Sequence, residues 1–462
     1  MQIEGRKILV LGAGRSGTAS ARFAAERGGT VALHDKKAVE EWSDEARSLK
    51  TSHNVGLMSG QIPSWLLDQI DLVIISPGIP ANSVPARYVD RKDGEVIGEV
   101  ELAFRFLKGR MIGITGSNGK TTTTTLVGEI LKDAGMDVLV GGNIGTPLLD
   151  LVSLAKEDTW VVTELSSFQL ETIVDLRPRI AACLNVTPNH MDRYDLFSDY
   201  AAAKHRIFMN QADEDLAVLN ADDAVTSKWA EGLKAHVTFF SVKKELDEGS
   251  FLRGNELVCR AEGSEKVLAN RNDILLRGLH NVENVLAAFA ISLACGVSPD
   301  SMRETVRNFK GVEHRMEFVA KINDVSFYND SKATSVDAAL KALEALSESD
   351  GKTVLLLGGR GKNAPYAPLI PLIGSTVRAL VVYGEDGDNI AEQLKGTSEI
   401  IRAGSMTEAV KFAAEAAEPG DKVLLAPACA SFDMFKSFEE RGDSFRKAVT
   451  DLTEAEAVSG RG

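Results

Sequence analysis

The run Gly113-Ile-Thr-Gly-Ser-Asn-Gly-Lys-Thr-Thr122 constrains this chain more than any other feature, because it sits between a strand-like stretch, Met111 to Thr115, and a helical pattern running to Ala134. A glycine-rich turn that closes a strand and opens a helix presents backbone amides to phosphate, and the helix dipole favours negative charge there. Gly116, Ser117, Asn118, Gly119 and Thr122 would cradle the phosphates, Lys120 would neutralise terminal charge, and the Thr121 hydroxyl stands where Mg2+ finds a hard oxygen ligand. The strict pattern G-x-x-x-x-G-K-[ST] is not met, since position 114 is Ile. The G-K-T ending in strand-loop-helix context still points to a nucleoside triphosphate.

A second phosphate motif precedes it. Gly12-Ala-Gly14-Arg-Ser-Gly17 follows the apolar run Ile8 to Leu11, and Asp35 ends the next run, Thr30 to Leu33, at the customary distance of about 20 residues. Small residues let a diphosphate approach the helix start, and a carboxylate accepts ribose hydroxyls. From spacing alone this is a nicotinamide or flavin dehydrogenase site or the site of another diphosphate nucleotide. Two nucleotide-type sites in succession weaken the dehydrogenase reading, because hydride transfer needs no triphosphate.

The chain has 462 residues, which at about 150 per domain suggests roughly three. Acidic residues outnumber basic ones, 66 to 52, for a net charge of -14. That surplus disfavours broad attraction to nucleic acid or anionic membranes. No apolar window reaches the length of a membrane span, so a cytoplasmic protein without membrane insertion is expected. Cys183, Cys259, Cys295 and Cys429 stand far apart, without zinc or disulfide spacing.

Apolar runs alternating with helical patterns predict parallel α/β architecture throughout. Strands are expected at Leu72 to Ile75, Thr159 to Thr163, Ile180 to Asn185, Ser326 to Tyr328, Thr353 to Leu357, Ala379 to Val382 and Lys422 to Ala426, with helices at Asn281 to Ala294 and Ser301 to Asn308. The stretch Thr238 to Leu276 reads as a small β appendage with pieces at Glu256 to Cys259, Lys266 to Leu268 and Ile274 to Leu276. Lys310-Gly311 reads as a hinge, which gives domains at 1–98, 99–311 and 312–462.

Glu164, at the end of a strand, faces the ligand crevice of open α/β sheets. His190 and Lys204, farther along, are each as readily hydrogen-bonded or solvated residues when taken singly. Together with their surroundings they say more. The segments T-G-S-N-G-K-T-T (115–122), G-N-I-G-T-P (142–147), T-E-L-S-S-F-Q-L (163–170), L-N-V-T-P-N-H-M-D-R (184–193), A-A-K-H-R-I-F (202–208), G-L-H-N-V-E-N-V-L-A-A (278–288) and H-R-M-E (314–317) resemble the Mur ligase family, in order along nearly the whole chain. The C-terminal stretches Y-N-D-S-K-A-T-S (328–335), L-L-L-G-G-R-G-K (355–362) and L-L-A-P-A-C-A-S-F-D-M-F-K-S-F-E-E-R-G (424–442) are similar to the D-glutamate-adding branch.

The resemblance implies three α/β domains: an N-terminal Rossmann-like domain for the UDP precursor, a central P-loop ATPase-like domain with the β appendage, and a C-terminal Rossmann-like domain for the amino acid. It implies ATP-dependent addition of D-glutamate to UDP-N-acetylmuramoyl-L-alanine through an acyl phosphate, by a monomer. Two Mg2+ ions are implied, with Thr121, Glu164, His190 and Lys204 as ligands and Lys204 carbamylated by CO2. Lys332 is implied near the transferring phosphoryl. Asn281 and Asn284 would read adenine, with Arg315 and Asp330 on ATP phosphate and ribose. Arg15, Ser16, Asp35, Lys36, Ser76 and Gly78 would hold the uridine diphosphate, with Asn143, Ser166, Gln169 and His190 on the rest of that substrate. Thr334, Lys362, Ser431 and Phe438 would hold D-glutamate. A folylpolyglutamate-type or other Mur-type ligase and a non-catalytic nucleotide sensor remain as alternatives, the former needing neither the first fingerprint nor the D-S-K-A-T segment.

Overall fold

The structure is a computed structural model that describes residues 1–91, 94–143, 145–188, 193–261, 263–276, 278–347, 351–361 and 365–459. His190 and Lys362 lie outside the described residues. The described strands form three sheets. The first is wholly parallel, in the order Gly56–Ser59, Thr30–Asp35, Lys7–Leu11, Leu72–Ile75, Val96–Gly98. Its central strand is apolar on both sides. Ile8 and Val10 enter one core with Ala24 and Leu33, whereas Leu9 and Leu11 enter another with Val73, Ile75 and Tyr88. Helices cover both faces of such a sheet, which is why its strands read as continuous apolar runs.

The second sheet carries the phosphate loop. Its order is Ser264–Asn270, Glu256–Ala261, Gly249–Arg253, His236–Ser241, Leu216–Asn220, Ile180–Cys183, Arg110–Thr115, Trp160–Glu164, Val138–Gly142. The expected β appendage is present, but as an extension of this sheet: Gly249–Arg253 pairs parallel with His236–Ser241, and the two outer strands follow antiparallel. Ile274 to Leu276 is a correction, since it forms no strand. Three apolar residues with no neighbouring strand edge to bond to do not make one.

The first two sheets share a core in which Ile8, Ala24, Leu102, Leu148, Leu165 and Leu170 belong to one buried cluster. The segment joining them is held by two carboxylates. Glu101, fully buried, accepts backbone N–H bonds from Val174 (2.9 Å), Asp175 (2.9 Å) and Leu176 (3.0 Å) and a 2.7 Å bond from Arg105 Nε. Glu99 accepts from the Leu149 amide at 2.9 Å, and burial pushes its carboxyl up to about 7.

The third sheet runs Glu317–Ile322, Val325–Asn329, Lys422–Leu425, Thr353–Gly358, Val377–Tyr383, Glu399–Arg402, parallel except for the first pair. That pair is a hairpin whose turn residues, Asn323 and Asp324, have φ of 48° and 66°. Positive φ at both central positions is the type I′ geometry that matches strand twist, and Asn-Asp tolerates it. Leu355, Leu357, Leu380, Val382 and Leu424 pack on one face, and Val354, Leu356, Val381, Val423 and Leu425 on the other. The chain divides into two compact units, Met1–Asp273 with Val282–Arg307, and Ile274–Asn281 with Asn308–Gly462.

Gly17 fixes how the first helix, Arg15–Glu26, meets its strand. A Cβ there would lie 1.8 Å from the Gly12 carbonyl oxygen. Gly17→Ala should therefore destabilise the chain by about 1–3 kcal/mol, read as an earlier urea unfolding transition. A superimposable transition would contradict this close approach.

Candidate functional site

The phosphate loop closes the strand Arg110–Thr115 and opens the helix Lys120–Asp133. Gly116 and Gly119 have φ of 154° and 81°, conformations that side chains resist. A Cβ on Gly119 would also stand 2.1 Å from Asn284 Oδ1, so the loop packs directly against that buried amide. Partners from the segment after Ile180–Cys183 hold the loop in place. Ser117 N donates to Asn185 O (2.9 Å), Ser117 Oγ donates to Thr187 O (3.0 Å) and lies 3.0 Å from Tyr200 Oη, and Thr187 N donates back to Ser117 Oγ (2.9 Å). Asn185 clamps Asn118 with its side chain, accepting from the Asn118 amide at 2.9 Å and donating to its carbonyl at 3.3 Å.

Two lysines converge on one carbonyl. Lys120 Nζ and Lys204 Nζ each donate to Gly116 O, at 2.8 and 2.9 Å. Lys204 is 1% exposed, on the helix Phe197–His205. Burial, reinforced by the Lys120 charge, pushes its amine down to about 7. Beside the loop, Glu164 ends the strand Trp160–Glu164, accepting from Thr121 Oγ1 through Oε2 and from Asn143 Nδ2 through Oε1, both at 2.8 Å. A buried hydroxyl and a buried carboxylate in contact make a hard-oxygen pair of the kind Mg2+ prefers. An ammonium at Lys204 does not fit that donor set. Among the described residues no group of three or more His, Cys, Asp or Glu side chains could hold a metal ion.

Ser166 and Gln169, expected on the substrate side, form the capping box of the short helix Ser167–Leu170. Gln169 N donates to Ser166 Oγ (3.3 Å), and Ser166 N donates to Gln169 Oε1 (3.0 Å). In the first sheet, the candidate residues gather at the C-terminal ends of three adjacent strands: Asp35 ends one, Ser76 follows another, and Arg15 and Ser16 open the helix between. Arg15, Lys36 and Gly78 are exposed there. The Asp35 carboxylate accepts from the amides of Ala13 (2.8 Å) and Lys37 (3.0 Å). Burial opposes ionisation, but these amides prevail and hold the carboxyl below its usual range. Asp35 thus shapes the glycine turn as well as lying at its mouth.

In the unit containing the third sheet, Arg315, Asp330, Lys332, Thr334, Ser431 and Phe438 lie on loops and a helix start beyond the strands Val325–Asn329 and Lys422–Leu425. Burial raises the Asp330 carboxyl to about 6, against the pull of Arg315 and Lys332. Lys332 Nζ stands 5.9 Å from the centre of the Phe438 ring, and Ser431 is buried. Asn281 lines a cavity of the same unit with Leu276, His280, Lys310, Phe318 and Tyr328. Its walls are mainly apolar and aromatic, with the Asn281 amide, His280 and Lys310 as the polar groups among them.

The structure adds residues that the sequence reading did not single out: Asn185, Tyr200, Asn329 and Arg441. Asn185 stood inside a quoted motif, yet an amide that clamps a backbone carries no mark in a linear pattern. Asn329 Nδ2 reaches Glu317 Oε2 (3.0 Å) and His314 Nδ1 (3.1 Å), and all three side chains are buried.

Residues 6–98 match the Mur ligase MurD-like N-terminal domain, residues 114–292 the Mur ligase middle domain, and residues 314–429 the Mur ligase glutamate ligase domain. A UDP-N-acetylmuramoylalanine--D-glutamate ligase of Koribacter versatilis is 44% identical over 99% of this chain and 100% of its own length. The enzyme of that name from Solibacter usitatus is 47% identical, over 98% and 99%. Among solved structures, UDP-N-acetylmuramate-alanine ligase MurC of Thermotoga maritima has a TM-score of 0.56 at 20% identity, covering 97% of this chain and 100% of that one. A pseudomurein peptide ligase type C of Methanothermus fervidus has a TM-score of 0.55 at 19% identity, covering 97% and 100%. At that identity the likeness to these two is one of fold.

The Asn185 clamp is testable without touching a charged group. Losing two hydrogen bonds worth about 0.5–1.5 kcal/mol each, Asn185→Ala should weaken Mg-ATP binding by about 5- to 150-fold in titration calorimetry. An unaltered dissociation constant would show that the loop holds its shape unaided.

Proposed function

The chain belongs to the Mur ligase family, and from that premise we propose how its residues divide the work of the reaction. It is an ATP-dependent ligase that adds D-glutamate to UDP-N-acetylmuramoyl-L-alanine in peptidoglycan precursor synthesis. The observation that carries the assignment is identity of 44–47% to ligases of that name over 97–99% of the chain.

The electrostatic difficulty is the approach of two anions, the carboxylate of the UDP precursor and the γ-phosphoryl of ATP. Cations have to dominate where they meet. Lys120 and the backbone amides of Gly116 to Thr122 take the phosphates, Asn281 and Asn284 take the adenine, and Arg315 and Asp330 take phosphate and ribose. Lys332 lies by the phosphoryl being transferred. The carboxylate oxygen attacks the γ-phosphorus and becomes an acyl phosphate as ADP leaves, and the D-glutamate amine then displaces phosphate and gives up a proton to leave an amide. Thr334, Lys362, Ser431 and Phe438 receive D-glutamate; Arg15, Ser16, Asp35, Lys36, Ser76 and Gly78 receive the uridine diphosphate; Asn143, Ser166, Gln169 and His190 guide the carboxylate end.

Thr121 and Glu164 are the oxygen ligands for one Mg2+, with His190 and Lys204 serving a second, and when bound these ions spread the developing phosphate charge. Lys204 suits that role as a carbamate, which replaces a repelling cation with anionic oxygens. Its burial beside the loop supports this reading. No helix among the described residues is long and apolar enough to cross a membrane. We place the enzyme in the cytoplasm as a monomer, with domains at 1–98, 99–311 and 312–462.

The deciding assay follows phosphate release and product mass. Turnover should require UDP-N-acetylmuramoyl-L-alanine, D-glutamate, ATP and Mg2+ together, and equal use of L-glutamate would overturn the reading. Lys120→Ala should lower kcat by about 10²–10³-fold or more. Lys204→Ala should be as severely impaired but regain activity with millimolar formate or acetate; a variant that stays inert to both while binding ATP normally would count against the carbamate.

A further inference from the structure

Arg441 breaks three general preferences at once. Its side chain is 0% exposed, it lies in the first turn of the helix Phe438–Ser459, where the dipole disfavours a cation, and no carboxylate among the described residues is within ion-pair distance of it. A buried guanidinium is tolerated only when its N–H groups are met by acceptors. Here they are met by loops. Nε donates to Ser331 Oγ (2.9 Å), Nη2 to Ser331 O (2.8 Å), and Nη1 to Cys429 O (3.1 Å) and more weakly to Gly358 O (3.5 Å). Ser331 Oγ in turn donates to Phe438 O at 2.7 Å, closing the ring back onto the helix that carries Arg441.

Each tied segment carries one residue assigned above to the amino acid. Ser331 precedes Thr334 on one loop, Cys429 precedes Ser431 on another, and Phe438 opens the helix. We propose that Arg441 is a positioning residue for the incoming amino acid, its guanidinium holding the loops of Thr334 and Ser431 and the start of the Phe438 helix in one fixed arrangement. The inference rests on the assignment of those three residues to the D-glutamate site. The neighbouring nucleotide contacts have anchors of their own: Asp330 N donates to Leu425 O (2.8 Å) and Lys332 N to His314 O (3.0 Å). Disturbing Arg441 therefore affects the amino-acid side first. Lysine cannot replace it, because an ammonium keeps the charge but cannot reach divergent carbonyls as a planar fork does.

The test is steady-state kinetics of full-length Arg441→Lys and Ser331→Ala, varying D-glutamate, ATP and the nucleotide sugar in turn, with thermal melts alongside. Arg441→Lys should raise KM for D-glutamate about tenfold or more while KM for ATP stays within about threefold, and Ser331→Ala should raise the same parameter more modestly. An unchanged KM for D-glutamate in a folded variant, or equal rises for all three substrates, overturns the proposal. If Arg441→Lys does not fold, Ser331→Ala decides by the same criterion. If the wild-type enzyme proves to use a different amino acid, the assignment of D-glutamate fails on its own, and the comparison runs unchanged with the amino acid it does use.

Discussion

The Gly116 carbonyl oxygen is the point on which the chemistry of the central sheet turns. A carbonyl exposed by a glycine at φ 154° receives two amines, from Lys120 and Lys204, within 2.9 Å. Each amine is brought there by a different helix, so the loop, the helix that follows it and the helix Phe197–His205 share one register. The price of placing two cations together in a buried site is their mutual repulsion, which with burial depresses Lys204. Its ammonium is thereby destabilised relative to the neutral amine.

The same economy of polar groups recurs through the fold. Glu101 is buried with four donors, Arg441 with a ring of acceptors, and Asn329 between His314 and Glu317. None is a surface ion pair of the kind that contributes little. Each instead fixes loop backbone, and a site assembled from loops is accurate only if something locks them. Close packing adds to that lock: a Cβ on Gly442, next to Arg441, would lie 2.1 Å from His314 Nδ1.

What could be read from the sequence followed from periodicity and glycine. Strands buried on both faces, such as Leu72–Ile75 and Thr353–Gly358, announce themselves as apolar runs, and Gly12, Gly17, Gly116 and Gly119 of the phosphate motifs sit where a side chain would clash or strain the backbone. Edge strands were less legible. Gly56–Ser59 and Glu399–Arg402 have one neighbour each and an interrupted apolar pattern. Ile274 to Leu276 failed in the opposite sense, being apolar enough for a strand but unpaired. The hairpin at Asn323-Asp324 rests on a two-residue turn with positive φ, a feature that apolar periodicity does not carry. Residues that act by touching backbone, Asn185 and Arg441 above all, were invisible because their partners are distant in the chain and defined by no side chain.

The core shared by the first two sheets bears on how this enzyme can be taken apart. Residues 1–98 look like a self-sufficient nucleotide-binding fold in sequence, yet Ile8, Ala24 and their neighbours share one buried cluster with Leu102, Leu148 and Leu170. Cutting the chain at 98 would leave that apolar face open to water and break the ion pairs Arg22–Asp150 (2.6 Å) and Glu95–Arg105 (2.5 Å), which join residues on either side of the cut. Fragments of this protein are therefore better divided near Arg307, at the boundary of its compact units, than at the end of its first sheet.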